Sequence, residues 1–140
     1  MEYPATNATV ETLPNGLTLI LDPDPAAPVV SAQIWVETGS MHEDRLLGAG
    51  ISHFLEHMVF KGTRRRTQAQ IAEEMDAIGG QSDAFTTKEY ASFHAKVLDE
   101  HVPRVMDLLA DIVLDPSFDP EELERERKVI LEEIKMVEDT

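Results

Sequence analysis

The 140 residues, 42% of them hydrophobic, suit one domain with a single core. The formal net charge of −15, from 27 acidic against 12 basic residues, disfavours nucleic acid as a partner, because a phosphate-binding face has to be basic. The lack of cysteine excludes disulfides and thiolate metal sites, so any metal must be held by His, Asp or Glu.

Met1 to Thr6 shows no basic segment followed by an apolar one. This predicts no signal peptide and a cytoplasmic location, with a mature exported form that has lost its leader as the alternative. No run approaches the roughly 18 to 20 apolar residues of a membrane span. Residues 1–7 read as a loose arm. Thr9 to Leu13 alternates polar and apolar residues as a half-buried strand does, Pro14-Asn15-Gly16 signals a tight turn, and Leu17 to Leu21 returns as the second strand of a hairpin. After the proline-rich loop Asp22 to Pro28, Val29 to Thr38 is rich in β-branched and aromatic residues and reads as a buried strand, with Trp35 in the core. Gly39 to Gly50 is a polar connection.

A helix follows from about Gly50 to Phe60, and Thr67 caps a second from Gln68 to Ile78 that stops at Gly79-Gly80. Between them, the basic run Arg64-Arg65-Arg66 reads as a solvated loop, with contact to an acidic partner as the alternative. Ser82 to Thr86 and Tyr90 to Val97 form another strand pair. Asp99 is the expected cap of a third helix ending at Leu114, and Asp119-Pro120-Glu121 opens a fourth that runs toward Glu138. Strands with segregated helices predict an α+β fold, mainly an antiparallel sheet with helices packed on it.

The chemistry concentrates in His53-Phe54-Leu55-Glu56-His57. Four residues apart on a helix, His53 and His57 lie one turn apart on one face, so both imidazoles can reach one ion. Glu56 leans toward the same face and is placed to take a proton from a water on the metal. Ile51, Phe54, Leu55, Met58 and Val59 make the rest of the helix apolar. Its polar groups therefore need partners, and a metal would serve. A hydrolytic zinc has three protein ligands and one open position. On the late helix, Glu126 and Glu133 are seven residues apart, two turns along one face. Glu121, Glu122, Glu124, Glu132 and Glu138 share that helix, so spacing alone does not choose the third ligand. A plain pair of surface or core histidines and a merely acidic, exposed helix are the alternatives. His42, His94 and His101 belong to no such constellation.

The stretch Gly50 to Thr63, Gly-Ile-Ser-His-Phe-Leu-Glu-His-Met-Val-Phe-Lys-Gly-Thr, closely resembles the signature of the pitrilysin-type inverzincin metallopeptidases. That family includes insulin-degrading enzyme, mitochondrial processing peptidase and bacterial processing proteases, and the resemblance is greatest to the processing-peptidase branch. It extends to Leu13-Pro14-Asn15-Gly16-Leu17, Gly39-Ser40, Ile78-Gly79-Gly80, Asp83-Ala84-Phe85-Thr86 and Glu124 to Glu133, nearly the whole chain. It implies one zinc ion per chain on His53, His57 and Glu133, with Glu56 as general base and Glu126 as a group that orients a ligand. It also implies that Asp83, Ala84 and Phe85 belong to an edge strand to which an extended peptide or unfolded protein adds. The family usually has Asn where Asp83 stands, which exchanges an amide donor for a carboxylate. Phe85 reads equally well as a core aromatic.

Family members are built from several homologous domains, so residues 1–140 are expected to be a single N-terminal zinc-binding peptidase domain of a larger multi-domain or two-chain enzyme. In the family, a homologous partner domain supplies an Arg and a Tyr that hold the substrate, and no segment here matches it. The implied function is a zinc-dependent metalloendopeptidase. The alternative is a catalytically incomplete peptide-binding or assembly module that needs a partner.

Overall fold

A computed structural model describes residues 7–138, so all but the last residue of the expected N-terminal arm lies outside it. The fold is α+β, as predicted: β1 (Thr9–Thr12), β2 (Thr18–Leu21), β3 (Val29–Val36), α1 (Ile51–Val59), α2 (Gln68–Ile78), β4 (Gln81–Thr86), β5 (Ala91–Leu98), α3 (Val102–Leu114) and α4 (Pro120–Glu138). β1 and β2 pair as a separate antiparallel hairpin, and the other strands form an antiparallel sheet in the order β3-β5-β4. No described helix is long and apolar enough to cross a membrane.

Local chemistry explains most boundaries. In the first hairpin, Leu17 N–H donates to Asn15 Oδ1 at 3.1 Å. α2 begins with a capping box: Gln70 N–H donates to Thr67 Oγ1, and Thr67 N–H donates to Gln70 Oε1 at 2.9 Å. It ends at Gly79, whose φ of 68° lies in the left-handed region that glycine occupies without strain. Asp119 Oδ1 accepts from the N–H groups of Glu121 and Glu122 and so caps α4. Asp99 does not cap α3. It opens a short 3-10 turn, Asp99–His101, and the α-helix starts one turn later at Val102.

The core lies between α3 and one face of the sheet. Val105, Leu108, Leu109 and Ile112 of α3 meet Ala91, Phe93, Ala95 and Val97 of β5, with Ile71 and Ile78 of α2 and Val59 of α1 closing the sides. Strand parity decides what enters it, since alternate residues point to opposite faces. Ala32, Ile34 and Val36 face the core from β3, and the strand is buried on that face only. Trp35 has the other parity. It is 51% exposed and packs against Phe85 and Tyr90 on the outer face, so its expected core position is corrected. The first hairpin is exposed along both strands, where half-burial was expected, because no second layer of described residues covers it.

The arginine run is also corrected. Asp111 lies buried on α3 among Leu108, Leu109 and Ile112 and needs compensation. It receives Thr63 Oγ1–H at 2.8 Å and Arg66 Nη1–H at 2.6 Å. Arg66 also reaches Glu74 and Asp107, and Arg65 reaches Asp107 and Asp111. Arg65 and Arg66 therefore clamp the loop after α1 onto α3, while Arg64 stays exposed.

Candidate metal centre

α1 starts abruptly at Gly50, which supplies no side-chain cap. Glu43 does this from a distance, its Oε1 accepting Ser52 N–H at 2.9 Å and fixing the turn that carries His53. The loop holding Glu43 is itself anchored at Gly39, where a Cβ would collide with the Thr87 carbonyl oxygen, leaving room for glycine alone. Ser40 and Met41 then donate backbone N–H groups to Thr87 and Lys88 carbonyls, which seats the β4–β5 turn beside α1.

One turn apart, His53 and His57 bring their Nε2 atoms to 3.2 Å, with the rings nearly perpendicular. Glu133 Oε2, from α4, lies 3.7 Å from His53 Nε2 and 4.0 Å from His57 Nε2. A triangle of these sides has a point about 2.1 Å from each corner, the length of zinc bonds to nitrogen and oxygen. All three side chains are half-buried, and among the described residues they form the group of three potential ligands close enough to share an ion. The donor set, two imidazoles and a carboxylate, fits zinc. Glu132, the neighbour that spacing alone left open, instead pairs with Lys135 on the exposed side.

Glu126 is 7% exposed and has two partners. Lys61 Nζ lies 2.7 Å from Oε1 and His57 Nδ1 lies 3.0 Å from Oε2. Burial alone would raise its carboxyl pKa, but the hydrogen bonds from Lys61 and His57 outweigh it and hold the group below the ordinary carboxylate value. An ionised carboxylate only accepts, so the proton between them sits on His57 Nδ1. That tautomer leaves the Nε2 lone pair facing the triangle.

Glu56 lies outside the triangle. Its Oε2 accepts the hydroxyl of Thr86 at the end of β4, which ties the carboxylate to that strand. β4 is an edge of the described sheet, with Asp83 and Phe85 exposed and Ala84 half-buried. Phe85 joins Trp35 and Tyr90 on the outer face and so is not a core aromatic. A cavity of about 310 Å³ opens where β4 meets His53, lined by Ser40, Glu43, Thr86 and Lys88 among others. Sequence reasoning missed Lys61, Thr86 and Glu43. Lys61 and Thr86 stand within the stretches that resemble the family, but nothing in their spacing assigns their partners.

The insulinase model of peptidase family M16 matches residues 18–140. A Bacillus subtilis protein named an uncharacterized zinc protease is 49% identical over 128 residues, covering 91% of this chain and 31% of that protein. A probable mitochondrial-processing peptidase subunit beta of Arabidopsis thaliana is 42% identical over 134 residues, covering 96% of this chain and 25% of the relative. The crystal structure of a protease from Helicobacter pylori superposes with a TM-score of 0.84 at 26% identity, over 91% of this chain and 31% of that one. The chain thus spans a quarter to a third of the length of these relatives. With the family model matched across most of its length, the chain belongs to the insulinase family of metallopeptidases, peptidase family M16.

Proposed function

We propose that residues 1–140 form the zinc-binding peptidase domain of a larger metalloendopeptidase, in which His53, His57 and Glu133 hold one zinc ion and Glu56 is the general base. What supports this is the triangle of three potential ligand atoms from His53, His57 and Glu133, with the Glu56 carboxylate of the same helix as the histidines left out of it and bonded to Thr86. Zinc held there would supply a Lewis acid that polarises the scissile carbonyl and acidifies water. Glu56 takes the proton from the attacking water and delivers it to the leaving nitrogen. The Thr86 hydroxyl occupies one carboxylate oxygen and leaves the other for that proton. Glu126, held ionised by Lys61, fixes the His57 tautomer. An extended peptide or unfolded protein adds along β4 at Asp83, Ala84 and Phe85.

The domain supplies one wall of such a site. The relatives are three to four times longer, which supports a partner domain or chain that grips the substrate from the other side. The same fact supports the second reading, a peptide-binding or assembly module that lacks turnover by itself. Zinc content by mass spectrometry, on protein purified without added metal, tests the first reading. One zinc per chain is expected, lost in Glu133→Gln and kept in Glu132→Gln. Metal-free protein, or the reverse behaviour of the two variants, overturns the ligand assignment.

A further inference from the structure

The backbone groups on the free edge of β4 can be assigned from the turn that ends it. Thr87 N–H donates to the Tyr90 carbonyl at 2.8 Å, so that pair bonds across the hairpin. Bonded and non-bonded pairs alternate along an antiparallel ladder. In the register Thr86↔Ala91, Phe85↔Ser92, Ala84↔Phe93, Asp83↔His94, the bonds to β5 come from Phe85 and Asp83. Ser82, Ala84 and Thr86 therefore turn their N–H and C=O groups outward, where a strand would add. At Ala84 the outward N–H is already engaged: it donates to Asp83 Oδ1 at 2.9 Å. Asp83 is exposed and makes no ion pair among the described residues.

We propose that Asp83 is a specificity-determining residue of this edge. Its carboxylate caps the central outward amide until a strand displaces it, and its charge then selects a strand with Lys or Arg opposite. The inference rests on the reading of β4 as the peptide-binding edge and is independent of hydrolysis. Two consequences follow from one side chain. As a cap, Asp83 competes with every incoming strand for the Ala84 amide, which also keeps the bare edge from pairing indiscriminately. As a charge, it faces the residue directly across the new ladder, with Cβ atoms about 4.5–5.5 Å apart, where opposite charges attract and like charges repel.

The test uses the whole chain carrying Glu56→Gln, so that binding is read without cleavage. Two labelled extended peptides, alike except for Lys or Glu on the outer-face positions, are titrated by fluorescence anisotropy. The lysine peptide is expected to bind tighter, by on the order of 1.5- to 5-fold for each opposed pair. Asp83→Asn keeps an acceptor for the Ala84 amide and removes the charge, so it should erase the preference. Asp83→Ala removes the cap as well, so it should also raise the affinity of an uncharged peptide and speed hydrogen exchange at the Ala84 amide. A preference that survives in Asp83→Asn, or an Ala84 amide that exchanges at the same rate in Asp83→Ala, overturns the proposal while leaving the edge reading standing. Failure of every variant to bind either peptide overturns the edge reading and this proposal with it. Zinc content tests the metal centre separately.

Discussion

Replacing Glu126 by Gln probes the centre without touching a proposed ligand. The substitution keeps the shape and removes the charge from a side chain with an ammonium on one oxygen and an imidazole N–H on the other. Glutamine cannot serve both. With its carbonyl toward His57, its NH2 faces the Lys61 ammonium, donor against donor. Turned over, its NH2 meets His57 Nδ1–H and drives the ring to the other tautomer, which puts a proton where the Nε2 lone pair should be. Losses of outer partners of this kind lower metal affinity by about 10- to 100-fold, or about 1.4 to 2.7 kcal/mol. Linkage makes the same loss visible in stability. At a zinc concentration one hundred times the wild-type Kd, binding contributes about 2.7 kcal/mol, which falls to about 1.4 kcal/mol for a tenfold loss and about 0.4 kcal/mol for a hundredfold loss. Competition against a chromophoric chelator gives the affinity, and thermal melts with and without zinc give the linkage. Glu124→Gln, on the same helix but paired with Arg127 in solvent, is the control and should change neither. Zinc affinity within twofold of wild type in Glu126→Gln would refute the argument.

Glu56→Gln should keep zinc and lose hydrolysis by about 10²- to 10⁴-fold, measured on the complemented enzyme with a quenched fluorescent peptide. Loss of zinc from that variant would make Glu56 a ligand. Asp111→Asn should destabilise the fold by about 1.5 to 3 kcal/mol in denaturant titration, because it removes the charge from the buried partner of Arg66, which keeps Glu74 and Asp107. Burial would raise the Asp111 carboxyl pKa, but its bonds to Arg66 and Thr63 hold it below the ordinary 3.8. Its stabilisation is therefore present above pH 3.8 and lost as the pH falls further, and Asp111→Asn should flatten that part of the acid limb. The chain alone should bind zinc yet turn over peptide at least 10²-fold more slowly than when complemented by a C-terminal domain or partner chain, since loss of a single oxyanion donor already costs on the order of 10²–10³. Equal, chelator-sensitive rates would show that no second wall is needed.

The part of the centre legible in the sequence is the part with helical spacing. Histidines four residues apart share a face in any α-helix, and Glu126 and Glu133 share one at seven. Glu133 could be preferred to Glu132 through the family resemblance, and their separation in space shows only once α4 is docked, with Glu133 turned to His53 and Glu132 to Lys135. Lys61, Thr86 and Glu43 stayed hidden because their roles arise from approach between distant elements. Trp35 was misread because β-branched and aromatic content marks a strand but not which face is inward, which depends on parity against Ala32 and Ile34. The arginine run was misread although a signal existed. Asp111 interrupts the apolar stripe of α3, four residues after Asp107, and a carboxylate in such a position calls for a cation.

The bond from His57 to Glu126 joins residues 69 apart, and the one from Thr63 to Asp111 joins residues 48 apart. By contrast, the β4–β5 hairpin and the capped α2 are local and form at little loop-closure cost. The order of assembly follows. The β4–β5 hairpin and α2 can form first, whereas β3, which pairs with β5 across separations up to that from His57 to Glu126, joins with the longer-range contacts, and the three candidate ligand atoms converge when α4 docks. An ion bridging His57 and Glu133 would act as a clasp across the longest loop of the fold, so its main kinetic effect should fall on the unfolding rate, by slowing the departure of α4.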